Sequence, residues 1–236
     1  TPGSGEWATG SGGVAVVSSD GSVLAGRAND GTTTRAFRWD STNGMVNIAD
    51  TNGDGVVDGS SSEWAIGYST GAVMSSDGSV IAGYADDGTE YRAFRWDATN
   101  GMVNPADANG DDVVDGTLSE WATGTAIASA ISSDGSFIAG RANDGTTTRA
   151  FRWDATNGMV NIADVNGDGV VDGSASEWAT GSSSGAVMSS DGSVIAGYAD
   201  DGTEYRAFRW DATNGMVNIA DTDGDGTIDG SASEWA

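Results

Sequence analysis

The segment Ser-Ser-Asp-Gly-Ser begins at Ser18, Ser75, Ser132 and Ser189, and Glu-Trp-Ala recurs at Glu6, Glu63, Glu120, Glu177 and Glu234, both at a spacing of 57 residues. A repeat of this length is one supersecondary unit that cannot bury its apolar face alone, so the chain must fold by stacking its copies. Four periods, approximately 6–62, 63–119, 120–176 and 177–236, make one repeat domain, and residues 1–5 read as a linker. A longer period lies on top. Repeats one and three carry Gly-Arg-Ala-Asn-Asp-Gly-Thr-Thr-Thr-Arg, repeats two and four carry Gly-Tyr-Ala-Asp-Asp-Gly-Thr-Glu-Tyr-Arg, and 71–104 is identical to 185–218. The duplicated unit is therefore a pair of repeats.

Each unit reads as four short strands, in the first repeat Val14–Ser18, Ser22–Ala28, Thr33–Trp39 and Met45–Ala49. Asp20-Gly21 signals a two-residue hairpin turn, and Asn29-Asp30-Gly31 and Asn43-Gly44 signal the next two. No window shows helical periodicity. Four antiparallel strands per period describe a propeller blade, and the predicted fold is an all-β, β-propeller-like array of four blades, with a β-solenoid as the alternative. Strand one is small enough (Gly, Ala, Ser, Val) for a crowded axis. Pro105, standing where the other units have Ile48, Ile162 and Ile219, lacks a ladder donor and marks strand four as the outer edge.

Between strand four and the next unit lies Asp-x-Asn-x-Asp-Gly, the opening of a calcium loop. Its oxygens fall at alternate residues, as a tightly turning backbone needs to converge them on a hard cation. The expected ligands of the first loop are Asp50, Asn52, Asp54, the carbonyl of Val56, Asp58 and Glu63. The second set is Asp107, Asn109, Asp111, Val113, Asp115 and Glu120, and the third is Asp164, Asn166, Asp168, Val170, Asp172 and Glu177. The fourth is Asp221, Asp223, Asp225, Thr227, Asp229 and Glu234. The usual twelfth-position carboxylate is missing, since Ser61, Leu118, Ala175 and Ala232 stand there; the glutamate comes two residues later. It reads as a ligand of a longer loop or as an exposed carboxylate beside a packed tryptophan. In the second loop Asp112 replaces the glycine at position 6, which predicts the weakest site. Trp64, Trp121, Trp178 and Trp235 read as anchors pinning each loop to a blade, with a sugar-stacking platform as the alternative. Arg38, Arg95, Arg152 and Arg209 read as partners of turn carboxylates.

The run Ser-Ser-Asp-Gly-Ser-Val-Ile-Ala-Gly-Tyr-Ala, followed by Arg-Ala-Phe-Arg-Trp-Asp and Asn-Gly-Met-Val, resembles the HAF-type extracellular repeat. That family's His-Ala-Phe is Arg-Ala-Phe here, at Arg35, Arg92, Arg149 and Arg206. The resemblance implies a propeller-like fold and a secreted or surface-attached location, and no activity. The inserted loop is similar to that of dockerins, without their paired helices, so cohesin binding is not carried over.

Composition narrows the rest. The chain has 35 acidic residues, ten arginines, no histidine, no cysteine, and a net charge of −25. Zinc, haem and iron–sulfur sites of the usual kinds lack ligands. Nucleic acid and anionic membrane surfaces would be repelled. No apolar run reaches membrane-spanning length and no signal peptide is visible, so the chain reads as a mature segment or a piece of a longer protein. No nucleophile–base pair can be assembled, and each carboxylate that could serve a glycosidase recurs in other units, so no catalysis is expected. These readings predict a calcium-stabilised extracellular structural or adhesive repeat protein holding about four Ca²⁺, one per repeat. It would self-associate as a homo-oligomer or head-to-tail filament. A calcium-dependent carbohydrate-binding propeller, with glycan as partner, is the alternative.

Overall fold

The computed structural model describes residues 8–222, Ser61 and Asp112 excepted, together with Gly224. The linker 1–5, Glu6, Trp7 and most of the fourth calcium loop (Asp223, Asp225, Thr227, Asp229, Glu234 and Trp235) lie outside the described residues, as does Asp112.

Among the described residues, sixteen strands form four sheets. Blade one is β1 (Gly12–Val17), β2 (Val23–Asn29), β3 (Thr34–Asp40) and β4 (Gly44–Asn47). Blade two is β5 (Ser69–Met74), β6 (Val80–Asp86), β7 (Tyr91–Asp97) and β8 (Gly101–Val103). Blade three is β9 (Ala126–Ile131), β10 (Phe137–Asn143), β11 (Thr148–Asp154) and β12 (Gly158–Asn161). Blade four is β13 (Ser183–Met188), β14 (Val194–Asp200), β15 (Tyr205–Asp211) and β16 (Gly215–Asn218). Each sheet is an antiparallel meander in chain order. The fold is an all-β, β-propeller-like array, and the solenoid alternative falls because no strand pairs across repeats.

The first strands β1, β5, β9 and β13 pack in series along the inner side, and the fourth strands form the outer edges. Between blades the core is built from strand faces: Ala25 and Ala36 of blade one meet Ile81, Phe94 and Met102 of blade two, and the pattern repeats at the next two junctions. Glycines also let the first two strands of a blade approach closely. At Gly140 an added Cβ would lie 2.0 Å from the Ile127 carbonyl oxygen, and at Gly83 2.0 Å from that of Thr70. Both contacts fall where the first strand carries a bulge against the second.

Several boundaries differ from those expected. The first turn is wider than two residues: Ser18 pairs with Val23, Gly21 N–H donates to the Ser18 carbonyl, and Asp20 accepts from the Ser22 amide. Strand four is shorter, because the Asn47 side chain accepts from the Ala49 amide and turns the chain away. Pro105 stands beyond β8, not within it. Ile48, Ile162 and Ile219 each donate an amide bond to the third strand, and proline cannot.

The turn aspartates carry depressed pKa values. The Ser22 amide and the Ser22 and Ser18 hydroxyls hold Asp20 at about 2. The Ser136 and Ser132 hydroxyls hold Asp134 at about 2. At Asp87 burial opposes ionisation, but the Arg92 guanidinium and the Glu90 and Thr89 amides outweigh it, and it too lies at about 2. A carboxylate whose folded pKa is below its unfolded value stabilises fully above the unfolded value, and that stability is lost as pH falls through the folded pKa. With no histidine to titrate near neutrality, melting temperature is expected to stay level from pH 8 to about 5 and to fall steeply between about 4 and 2. Circular dichroism melts across that range check this; a loss centred near pH 6 contradicts it.

Candidate metal-binding loops

Each inter-blade loop runs from an outer strand to the first strand of the next blade, and its acidic side chains wind it tight. In the first loop Asp50 accepts from the amides of Gly53 (2.7 Å) and Gly55 (2.9 Å). Asn52 accepts from Asp54 N–H, Asp54 from Val56 N–H and Asp58 from Ser60 N–H. The third loop repeats this with Asp164, Asn166, Asp168 and Asp172. In the second, Asp107 accepts from Gly110, Asn109 from Asp111, Asp111 from Val113 and Asp115 from Thr117. Asp221 makes the corresponding bond to Gly224. The Ser60 and Ser174 amides and hydroxyls lower the pKa of Asp58 and Asp172.

The glutamates lie elsewhere than one reading placed them. Glu63 and Glu120 are 1% exposed and Glu177 2%, so the exposed-carboxylate alternative is overturned. Each reaches back across its loop. Glu177 accepts from Val165 and Asn166 N–H (both 3.0 Å) on one oxygen and from Asp172 N–H (3.3 Å) on the other. Glu120 accepts from Ala108, Asn109 and Asp115, and Glu63 from Asn52 and Asp58. Among the described residues none of these three has a cationic side chain in an ion pair with it; the ion pairs of Arg35, Arg38, Arg92, Arg95, Arg149, Arg152, Arg206 and Arg209 found there go to carboxylates of the turns. The expected pairing of Arg38, Arg95, Arg152 and Arg209 thus holds, with Asp40, Asp97, Asp154 and Asp211.

Among the described residues no three acidic side chains are grouped as a bound metal would require, because the loop carboxylates face their own backbone amides. The donor set nevertheless fits a hard divalent cation. It consists only of oxygens, Asp50, Asp54 and the second oxygen of each glutamate accept one amide bond per oxygen and so keep a lone pair, and three buried carboxylates have amides but no cationic side chain as partners.

The tryptophans anchor the loops. Nε1 of Trp64, Trp121 and Trp178 donates to the carbonyls of Met102 (3.0 Å), Met159 (2.8 Å) and Met216 (2.9 Å), on the outer strand of the following blade. Their rings pack against the inter-blade clusters, Trp178 buried and Trp64 and Trp121 half-buried. The aromatic surface that the sequence did not signal is a tyrosine group: Tyr68 stacks on Tyr84 at 5.9 Å, and Tyr91 stands edge-on to both.

No protein-family model matches the sequence, and no curated protein matches it. Among solved structures, TolB from Acinetobacter baumannii aligns with 16% identity and a TM-score of 0.49 over 86% of this chain and 41% of that one. A putative TolB from Agrobacterium tumefaciens aligns with 12% identity and a TM-score of 0.47, over 86% of this chain and 59% of its own. The propeller-like fold therefore rests on the sheets themselves. No helix of the described residues is long and apolar enough to cross a membrane.

Proposed function

We propose that the chain is a calcium-stabilised structural repeat of a secreted or surface-attached protein, without catalysis. It would hold about four Ca²⁺, one in each of the three inter-blade loops and one in the loop that follows blade four. The carrying observation is the buried glutamate: Glu63, Glu120 and Glu177 each close a loop of oxygen donors with no cationic side chain to balance them. Burying an uncompensated carboxylate is costly, and a divalent ion beside it would offset that cost. Asp164, Asn166, Asp168, the Val170 carbonyl, Asp172 and Glu177 would hold the ion of the third loop, and their counterparts the others. The ion would supply charge neutralisation, and the loop would join rim to axis between successive blades.

Equilibrium dialysis against calcium tests the reading. The expected result is about four ions per chain at millimolar calcium, with the second loop weakest. Less than one ion bound under those conditions overturns it. The carbohydrate-binding alternative retains one supporting observation, the tyrosine group at Tyr68, Tyr84 and Tyr91, and calcium-dependent retention on a glycan array would favour it.

A further inference from the structure

The blade-to-blade junction occurs three times among the described residues, and one half of it recurs on blade one and the other on blade four with no neighbouring blade against it. At each junction Arg35, Arg92 or Arg149 drives one guanidinium nitrogen into three successive backbone carbonyls of the next blade, such as Ala65, Ile66 and Gly67 at 2.8–3.0 Å. On the inner side the turns are linked in series, Ser19 N–H to the Ser76 carbonyl, Ser76 to Ser133 and Ser133 to Ser190. A knob fills a socket: Val23 sits over Gly78, Val80 over Gly135 and Phe137 over Gly192, so closely that an added Cβ would lie 2.1–2.6 Å away.

Blade four presents the knob half with no further blade against it among the described residues. Ile219 is 59% exposed where Ile48 and Ile162 are 2%, Ala207 is exposed where Ala36, Ala93 and Ala150 are fully buried, and the Arg209 side chain is 46% exposed. Val194 holds the knob position. Blade one presents the socket half. Strand β1 is exposed along its length, with Val14 and Val17 each at 57%, and a Cβ at Gly21 would meet no atom within 4 Å. The charges match as well. Arg95 and Asp134 line the groove between blades two and three, Arg152 and Asp191 the next one, and at the ends Arg209 is left for Asp20. Val14 is larger than the Gly71, Ala128 and Gly185 that occupy its place internally, so the end-to-end fit is looser than the internal ones.

We infer that blade four of one chain docks on blade one of a second copy, reproducing the internal junction. Such a contact is heterologous, so it extends the array or closes it as a ring. It rests on blade packing and is independent of the calcium reading.

Sedimentation velocity in millimolar calcium and moderate salt tests it with two variants. Gly21→Asn fills the socket and keeps the left-handed turn (φ 76°), which asparagine tolerates, while touching nothing in the single chain. Ala207→Glu puts a charge on the exposed blade-four face. Wild type is expected to gain mass with concentration, and each variant to associate about tenfold more weakly or worse, with unchanged melting curves. The two variants mixed should form a heterodimer, because Gly21→Asn keeps an intact blade four and Ala207→Glu an intact blade one. A wild type that stays monomeric, single variants that associate like wild type, or a mixture that does not associate overturns the inference.

Discussion

Removing calcium is expected to lower the melting temperature by tens of degrees or to unfold the chain outright. Asp164, Asp168, Asp172 and Glu177 put four carboxylates into one loop, the first loop does the same, and the second, with Asp112, has five. Partly desolvated like charges repel strongly at close range. Their own amides relieve part of this, as Asp164 with Gly167 and Gly169 illustrates, but an amide carries no net charge. Because only the folded loop presents all its oxygens together, binding free energy adds to folding stability. At a hundred times the dissociation constant each site contributes about 2.7 kcal/mol, and four give about 11. That is comparable with the whole stability of an ordinary domain, about 5–15 kcal/mol. Calorimetric melts in excess chelator, without magnesium, check this, and a curve unchanged from the calcium-loaded one would sink the calcium proposal. Asp168→Ala should cost more than Asp111→Ala, whose loop already carries Asp112 at the turn position.

The second large effect is at the buried glutamates. Glu177→Ala removes the buried carboxylate that accepts from Val165, Asn166 and Asp172 N–H, three donors on exposed residues that water can reach in part. A hydrogen bond to a charged group contributes about 1.5–3 kcal/mol, and with water replacing part of three such bonds a loss of about 4 kcal/mol is expected, near 10 °C in a chain of this size. Glu177→Gln keeps one carbonyl oxygen for Val165 and Asn166 but turns an amide nitrogen toward Asp172 N–H, and should cost about half as much. Melting both variants with calcium and with chelator separates two roles. A glutamate that only braces the amides costs the same in both media, whereas one that also holds the ion costs more when calcium is present. A glutamine variant as stable as wild type in both would remove Glu177 from either role.

The repeat and its turns made most of this architecture legible. A 57-residue period with four turn signals leaves few all-β arrangements, and the small residues of the first strand pointed to a crowded inner side. The misplaced details have local causes. Asp20-Gly21 suggests a tight hairpin, but Ser18 and Ser22 both bond to Asp20 and draw a wider loop. Ile48 and Ala49 look like strand, and the Asn47 side chain ends it before them. The glutamate was hardest. Its spacing after the loop is compatible with exposure or burial, and only the packing of Trp64, Trp121 and Trp178 on the next blade's outer strand carries it inward. The clamp of Arg35 on three carbonyls has no sequence signature, since it depends on how two sheets meet.

The identity of 71–104 with 185–218 has a kinetic consequence. Blade two and blade four offer nearly the same surface to whatever precedes them, differing where Ile66, Tyr68 and Thr70 of one stand as Thr180, Ser182 and Ser184 in the other, so little beyond the Arg27–Tyr68 bond tells blade one which of the two should follow it. Sequential order is imposed chiefly by tether length, the short loop reaching its neighbour before the distant twin can. During refolding this is a race between local and remote capture, and crowding chains together tilts it toward exchange of blades between molecules.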